Sequence, residues 1–316
     1  MSTFGKTQIT IRTDHKVRLG PCGIHIFNRR TGLNVLVDEV NVRREFWALA
    51  PRQISIALTN ACDLSCSYCY APKNHAELDF NRLIIWLDEL DANGCLGVGF
   101  GGGEPTLYRH FPEVCKYVAE ETGMAATFTT HAHRMNARLA ERLRGTVHFI
   151  RVSMDGVGAT YESLRGKPFA ALRSHIDYIR QLAPFGINFV VNKSTLPDID
   201  RAVDFAAEVG ATEFLLLPEQ AVNGVGGIDP ATFWTLRIWI KNYHGPLPLA
   251  ISEVDAGDDP IYVRVTNEKG LQAYAHIDAT GTLKRSSYER HGVLIGPKGL
   301  IEALRVMKVS RREECK

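Results

Sequence analysis

Cys62-Asp-Leu-Ser-Cys66-Ser-Tyr-Cys69 sets three thiols in eight residues, spaced C-x3-C-x2-C. The apolar run Ile54–Leu58 leads into it, and a later apolar run ends in Gly101-Gly102-Gly103-Glu104-Pro105. Three thiolates this close can hold three irons of a [4Fe–4S] cluster and leave the fourth iron open to a substrate or cofactor. The competing readings are a zinc knuckle or three free thiols. Structural zinc takes four protein ligands, usually in two separated pairs. Here His75 is the nearest further ligand and no Cys or His stands at an obvious closing position.

The elements around these residues must bring them together. Ile54–Leu58 reads as the first strand of a strand–loop–helix series, with the cysteines on its loop. Helical periodicity over Phe80–Leu90 stops at Asn93-Gly94. Strands follow at Leu96–Phe100, Ala126–Thr130, Phe149–Met154, Asn188–Asn192 and Thr212–Leu217. Helices between them are expected at Phe111–Glu121, Asn136–Leu143, Ala170–Leu182 and Ile199–Val209. Short apolar strands alternating with helices predict a parallel sheet with right-handed crossovers. Each candidate site residue falls just after a strand, where β/α barrels place their chemistry. The fold class is α/β: a partial (β/α)6 TIM-like barrel with an open side able to admit a large substrate.

Three segments follow from the patterning. Residues 1–50 read as a β-rich extension, with the alternating run TQITIRT and a hairpin signal at Arg30-Thr31-Gly32. Residues 51–222 form the barrel core. Residues 223–316 are an α+β cap, opening on the link Asn223–Gly227. A helix over Thr232–Tyr243 follows, then strands at Leu249–Ser252, Tyr262–Val265 and Ala273–Asp278, and a last helix over Gly299–Met307.

Composition narrows the function classes. A net charge of +2, with Lys and Arg dispersed, gives no electrostatic case for a nucleic-acid surface. No apolar run approaches the roughly 18–20 residues of a membrane span, and the N-terminus lacks an apolar signal core. The chain reads as cytoplasmic. Seven cysteines, an odd count, argue for a metal site plus spare thiols rather than a disulfide framework.

With these residues together, the chain resembles the radical S-adenosylmethionine (SAM) superfamily. Cys62-x3-Cys66-x2-Cys69 after strand one matches that family's cluster signature, Tyr68 matches the aromatic before its third cysteine, and Gly102-Gly103-Glu104-Pro105 matches its GGEP motif. The resemblance covers about residues 54–220. It implies one [4Fe–4S] cluster on Cys62, Cys66 and Cys69, SAM on the open iron, and an electron donor such as flavodoxin or ferredoxin. The family reaction is reductive cleavage of SAM to a 5′-deoxyadenosyl radical, which abstracts a hydrogen atom from a substrate C–H bond. The SAM contacts it implies are Tyr68, the backbone of Gly101, Gly102 and Gly103 with Glu104 at the methionine ammonium, and Thr130, Ser153 and Asn192 at later strand ends. The tail resembles the twitch/SPASM extension, with Ser286 and Ser287 where cysteines for an auxiliary cluster are expected and no cysteine from 223 to 314. One cluster is expected, not two, because hydroxyls do not routinely replace thiolates as cluster ligands.

Catalytic candidates are His131 and His133 as proton shuttles near the mouth, Glu219 as a partner for a substrate amine, and Cys22 as a hydrogen-atom donor if the N-terminal flap folds over the mouth. Arg151 and Arg165 are candidates for an anionic substrate group; His276 and Asp278 share one strand face. The substrate is read as a ribosomally synthesised peptide. The alternatives are a nucleotide, sugar or amino-acid derivative and, from another class, a non-catalytic iron–sulfur or SAM-binding sensor or partner subunit.

Overall fold

The computed structural model describes residues 14–221, 226–251 and 266–314. The expected strands TQITIRT and Tyr262–Val265, most of the Asn223–Gly227 link, and Cys315 lie outside them.

The described chain opens with an antiparallel sheet of β1 (His15–Gly20), β2 (Gly23–Asn28) and β3 (Asn34–Val37). The β2–β3 turn is built on Asn28, whose Oδ1 accepts the N–H groups of Arg30 and Thr31, while Gly32 supplies the left-handed residue at φ 73°.

The strand–helix series follows: β4 (Gln53–Thr59), α1 (Phe80–Ala92), β5 (Gly97–Gly102), α2 (Phe111–Glu121), β6 (Ala125–Thr130), α3 (Ala137–Leu143) and β7 (Phe149–Ser153). Two helices, α4 (Ala159–Arg165) and α5 (Phe169–Ile179), lead to β8 (Phe185–Val191), α6 (Ile199–Glu208) and β9 (Glu213–Pro218). Helix α4 had no periodic signature because it spans only seven residues before Gly166 stops it in the left-handed region. The chain continues through α7 (Pro230–Lys241), β10 (Leu249–Ile251), β11 (Tyr274–Ile277), β12 (Thr282–Lys284), β13 (Val293–Leu294) and α8 (Leu300–Glu314).

Strands β4 to β9 lie side by side in chain order, all parallel. The sheet is longer than the six expected units. Strand β10 pairs in parallel with β9, and β11 pairs in parallel with β4 before β12 and β13 complete that edge antiparallel. Residues 249–251 and 274–277 therefore continue the barrel wall at both edges.

Side chains alternate across each strand. Ile54, Val98, Ile150, Val152 and Phe214 are fully buried and face the helices. The residues between them, including Ser55, Thr127, Arg151 and Asn188, are half-buried because they line a cavity instead. At the strand starts the β2–β3 turn lies against the barrel: Arg29 donates to the carbonyls of Ala119, Thr122 and Met124, where α2 ends and β6 begins. Arg18 of β1 is 2% exposed and ties that strand to the segments leading into β4, β5 and β11 through Glu268, Ala50 O, Gly94 O and Gln272 O.

Candidate active site

A cavity of about 900 Å³ runs through the barrel. At the strand C-terminal ends its wall includes Cys66, Tyr68, Cys69, Gly101, Gly102, Ser153 and Glu219; at the strand starts it reaches His148, Thr212 and the turn residues Arg29–Gly32. The loop from β4 to α1 carries all three cysteines as free, half-buried thiols. Cys69 N donates to Cys66 O at 3.2 Å, and Leu64 N points at Cys62 Sγ at 3.4 Å. Burial pushes the Cys62 thiol up from its ordinary value.

The glycine run has two different tasks. A Cβ on Gly101 would meet nothing within 4 Å, so this residue opens the wall to the cavity. Gly102, at φ 125°, and Gly103 serve the chain's own backbone. A Cβ on Gly102 would stand 2.2 Å from Thr59 O, and one on Gly103 2.2 Å from Ala61 O.

Glu104 is 1% exposed and turned away from the cavity, towards β6. Its Oε1 accepts Thr106 N, Thr106 Oγ1 and Thr130 Oγ1; its Oε2 accepts His131 N. In this structure the carboxylate, expected at the methionine ammonium, braces the ends of β5 and β6. Thr130, 2% exposed, is part of that brace rather than the wall. Asn192 is also off the wall: its Oδ1 accepts Ser194 N and Thr195 N, and its Nδ2 donates to Glu219 Oε2 at 2.7 Å. Ser153 and Glu219 do face the cavity.

The other candidates are redistributed. Neither His131 nor His133 lines the cavity. His133 Nε2 is 2.7 Å from the Tyr161 hydroxyl, and burial with His131 beside it lowers its imidazole to about 4. Cys22 sits in the β1–β2 turn, its Sγ facing Asn267 N at 3.2 Å, off the cavity wall. The flap that was to carry Cys22 over the mouth instead has its β2–β3 turn at the opposite, strand-start end. Arg151 is paired with Glu213, and Arg165 with Asp155. Asp278 accepts from Lys284 at 2.7 Å and organises its own turn.

Two features were not singled out from the sequence as parts of the site. Asp155, wholly buried after β7, accepts from Tyr68 Oη, Arg165 and Val190 N. Ser55 Oγ lies 2.5 Å from Tyr274 Oη and 2.7 Å from His276 Nδ1, all on the wall. The alternation of His276 and Asp278 signalled a shared face; which face His276 takes, and that Tyr274 joins it there, needed the pairing of β11 with β4.

The donor set suits an iron–sulfur centre. Three unpaired thiols on one loop, two of them on the cavity wall next to the open face of Gly101, can hold a cluster that exposes one iron to a ligand in the cavity. A parallel β/α barrel with such a thiol loop at its strand ends defines the class: an enzyme whose metal centre acts on a ligand inside the barrel. Residues 56–206, just under half of the chain, match the model of the Radical SAM superfamily. Its members bind a [4Fe–4S] cluster and SAM.

An AdoMet-dependent heme synthase of Methanosarcina barkeri is 29% identical over 76% of this chain and 70% of its own length. The sporulation killing factor maturation protein SkfB of Bacillus subtilis is 25% identical over 60% of this chain and 48% of its own. The crystal structure of Streptococcus suis SuiB bound to precursor peptide SuiA superposes with a TM-score of 0.72 at 16% identity, over 93% of this chain and 88% of that one. At that identity the likeness is one of fold.

Proposed function

We propose that this chain is a radical SAM enzyme holding one [4Fe–4S] cluster on Cys62, Cys66 and Cys69, and that its substrate is a ribosomally synthesised peptide. When bound and reduced, the cluster supplies the electron that splits SAM into methionine and a 5′-deoxyadenosyl radical, which takes a hydrogen atom from a substrate C–H bond. The chain's residues orient and enclose. Gly101 and Gly102 offer backbone at the mouth, Tyr68 and Ser153 border the same space, and Glu104, Thr130 and Asn192 hold the strand ends from behind. Glu219 presents a carboxylate to a substrate amine. The serines Ser286 and Ser287 leave the tail without an auxiliary cluster. A flavodoxin or ferredoxin in a reducing cytoplasm is the electron source. Among the described residues no helix is long and apolar enough to cross a membrane.

The observation that carries this reading is the thiol loop at the cavity mouth, inside the segment that matches the family. The maturation protein SkfB supports a peptide substrate. The heme synthase supports a second reading, a small molecule. Anaerobic reconstitution, followed by dithionite and SAM, tests the chemistry. 5′-Deoxyadenosine is expected; its absence with every candidate substrate would sink the enzyme reading in favour of a sensor or partner subunit. Mass loss of two hydrogens or a new crosslink on a peptide, and none on small molecules, is the outcome expected for the substrate.

A further inference from the structure

We propose that His131 is a positioning residue for the iron–sulfur centre: it locks the Cys62 end of the loop to the strand ends and keeps two carboxylates beside that cysteine. This rests on the assignment of Cys62 as a cluster ligand.

The ring has a defined tautomer. His131 Nδ1 accepts the backbone N–H of His133 at 3.1 Å, so the proton is on Nε2. Nε2 then donates to Asp63 Oδ1 at 2.8 Å, and Glu104 Oε2 lies 3.3 Å from the same nitrogen. The backbone N–H of His131 donates to that Glu104 oxygen as well. One imidazole, with its side chain 3% exposed, thus joins the cysteine loop, the end of β5 and the end of β6. A nitrogen of His131, a carboxylate oxygen of Asp63 and Cys62 Sγ all lie within 4.8 Å of one another. The second Asp63 oxygen is 3.5 Å from Arg134.

The backbone is shaped to make this contact. Ala132 sits at φ 69°, the one non-glycine residue with positive φ among those described. That conformation is disfavoured for alanine and persists only where the surroundings fix it. Here Thr130 Oγ1 accepts Ala132 N, and the turn brings His133 N back onto the His131 ring. Both ring nitrogens are thereby engaged and the ring is off the cavity wall, so it is placed to hold the loop rather than to exchange protons with a substrate.

Two consequences follow. A loop with little regular structure of its own loses much conformational entropy when it orders around a metal, and a preformed clamp reduces that cost. Net charge and hydrogen bonds near the sulfurs set cluster potentials, and two carboxylates beside Cys62 bias the centre towards a low potential.

The test uses the full chain reconstituted without oxygen, with three readouts: iron lost to a ferrous chelator, the EPR signal of the reduced cluster, and its midpoint potential. His131→Ala is expected to lose iron at least about tenfold faster than the unaltered protein and to shift the EPR signal. His131→Gln, which can still donate to Asp63, restores retention. Asp63→Asn keeps the acceptor but removes a charge, so it retains iron and raises the potential. Unaltered retention, EPR signal and potential in His131→Ala overturn the proposal. If that variant fails to fold, an unchanged potential in Asp63→Asn overturns it alone. Failure of the unaltered protein to take up any cluster would instead overturn the assignment of the cysteines.

Discussion

The Tyr68 hydroxyl donates to Asp155 Oδ2 at 2.5 Å, tying the residue before the third cysteine to the end of β7. Burial, and then the Asp155 carboxylate, hold this phenol far above its ordinary range, so it remains a donor. Arg165 binds the same carboxylate oxygen with its side chain 9% exposed, while Asp155 is fully buried. Asp155→Ala leaves that guanidinium buried without its counter-charge and is expected to cost about 3–5 kcal/mol. Tyr68→Phe removes one hydrogen bond to a charged group and is expected to cost about 1.5–3 kcal/mol. Urea denaturation checks both; equal, negligible losses would show that the clamp holds nothing.

The glycine run separates fold from ligand binding. Gly103→Ala drives a methyl into Ala61 O and is expected to destabilise by more than about 1 kcal/mol. Gly101→Ala meets open space, so its stability stays within about 0.5 kcal/mol. The methyl nevertheless enters the cavity, and SAM affinity measured by calorimetry should fall. The reverse pattern, a stable Gly103→Ala and an unstable Gly101→Ala, would contradict the assignment of the two glycines.

Acid should loosen the barrel before the carboxylates titrate. Burial, reinforced by Arg29, lowers the His148 imidazole to about 4, and burial lowers that of His276 to about 4. Unfolded histidine titrates near 6.5. Between those values the unfolded chain binds protons that the folded chain does not, so stability rises with pH there. The contribution is whole above about pH 6.5 and is lost as the pH falls towards 4. Denaturation midpoints should be level near neutrality and decline through this window, and the double variant His148→Gln, His276→Gln should decline less. A midpoint independent of pH there would refute it.

Iron content tests the count of centres. About four irons per chain are expected for one cluster, and about eight would place a second centre in the tail. Cys95 and Cys115 are fully buried thiols; burial pushes Cys95 up to about 11 and Cys115 higher still. Replacing these two by alanine should leave the iron count unchanged, whereas Cys62→Ala, Cys66→Ala or Cys69→Ala should abolish it.

Spacing along the chain made the thiol loop and the glycine run legible, because the thiols are brought together within one short loop and each strand's alternation is local. The same logic located β4 to β9, with Ser153 at the end of its strand and Glu219 just after its own. What the sequence could not decide depends on partners far apart. Glu104 was expected to face a ligand, but its carboxylate direction is set by Thr130 and His131, which reach it only when β6 lies beside β5. Tyr274 and His276 join Ser55 across more than 200 positions, through the parallel pairing of β11 with β4. The β2–β3 hairpin was visible, but its place at the strand starts follows from Arg29 finding the carbonyls at the end of α2. The sequence alone determined that the thiol loop and the glycine run stand at strand ends. Only the tertiary structure decided which of them face the cavity, because the satisfaction of buried polar groups is a property of packed neighbours, not of spacing.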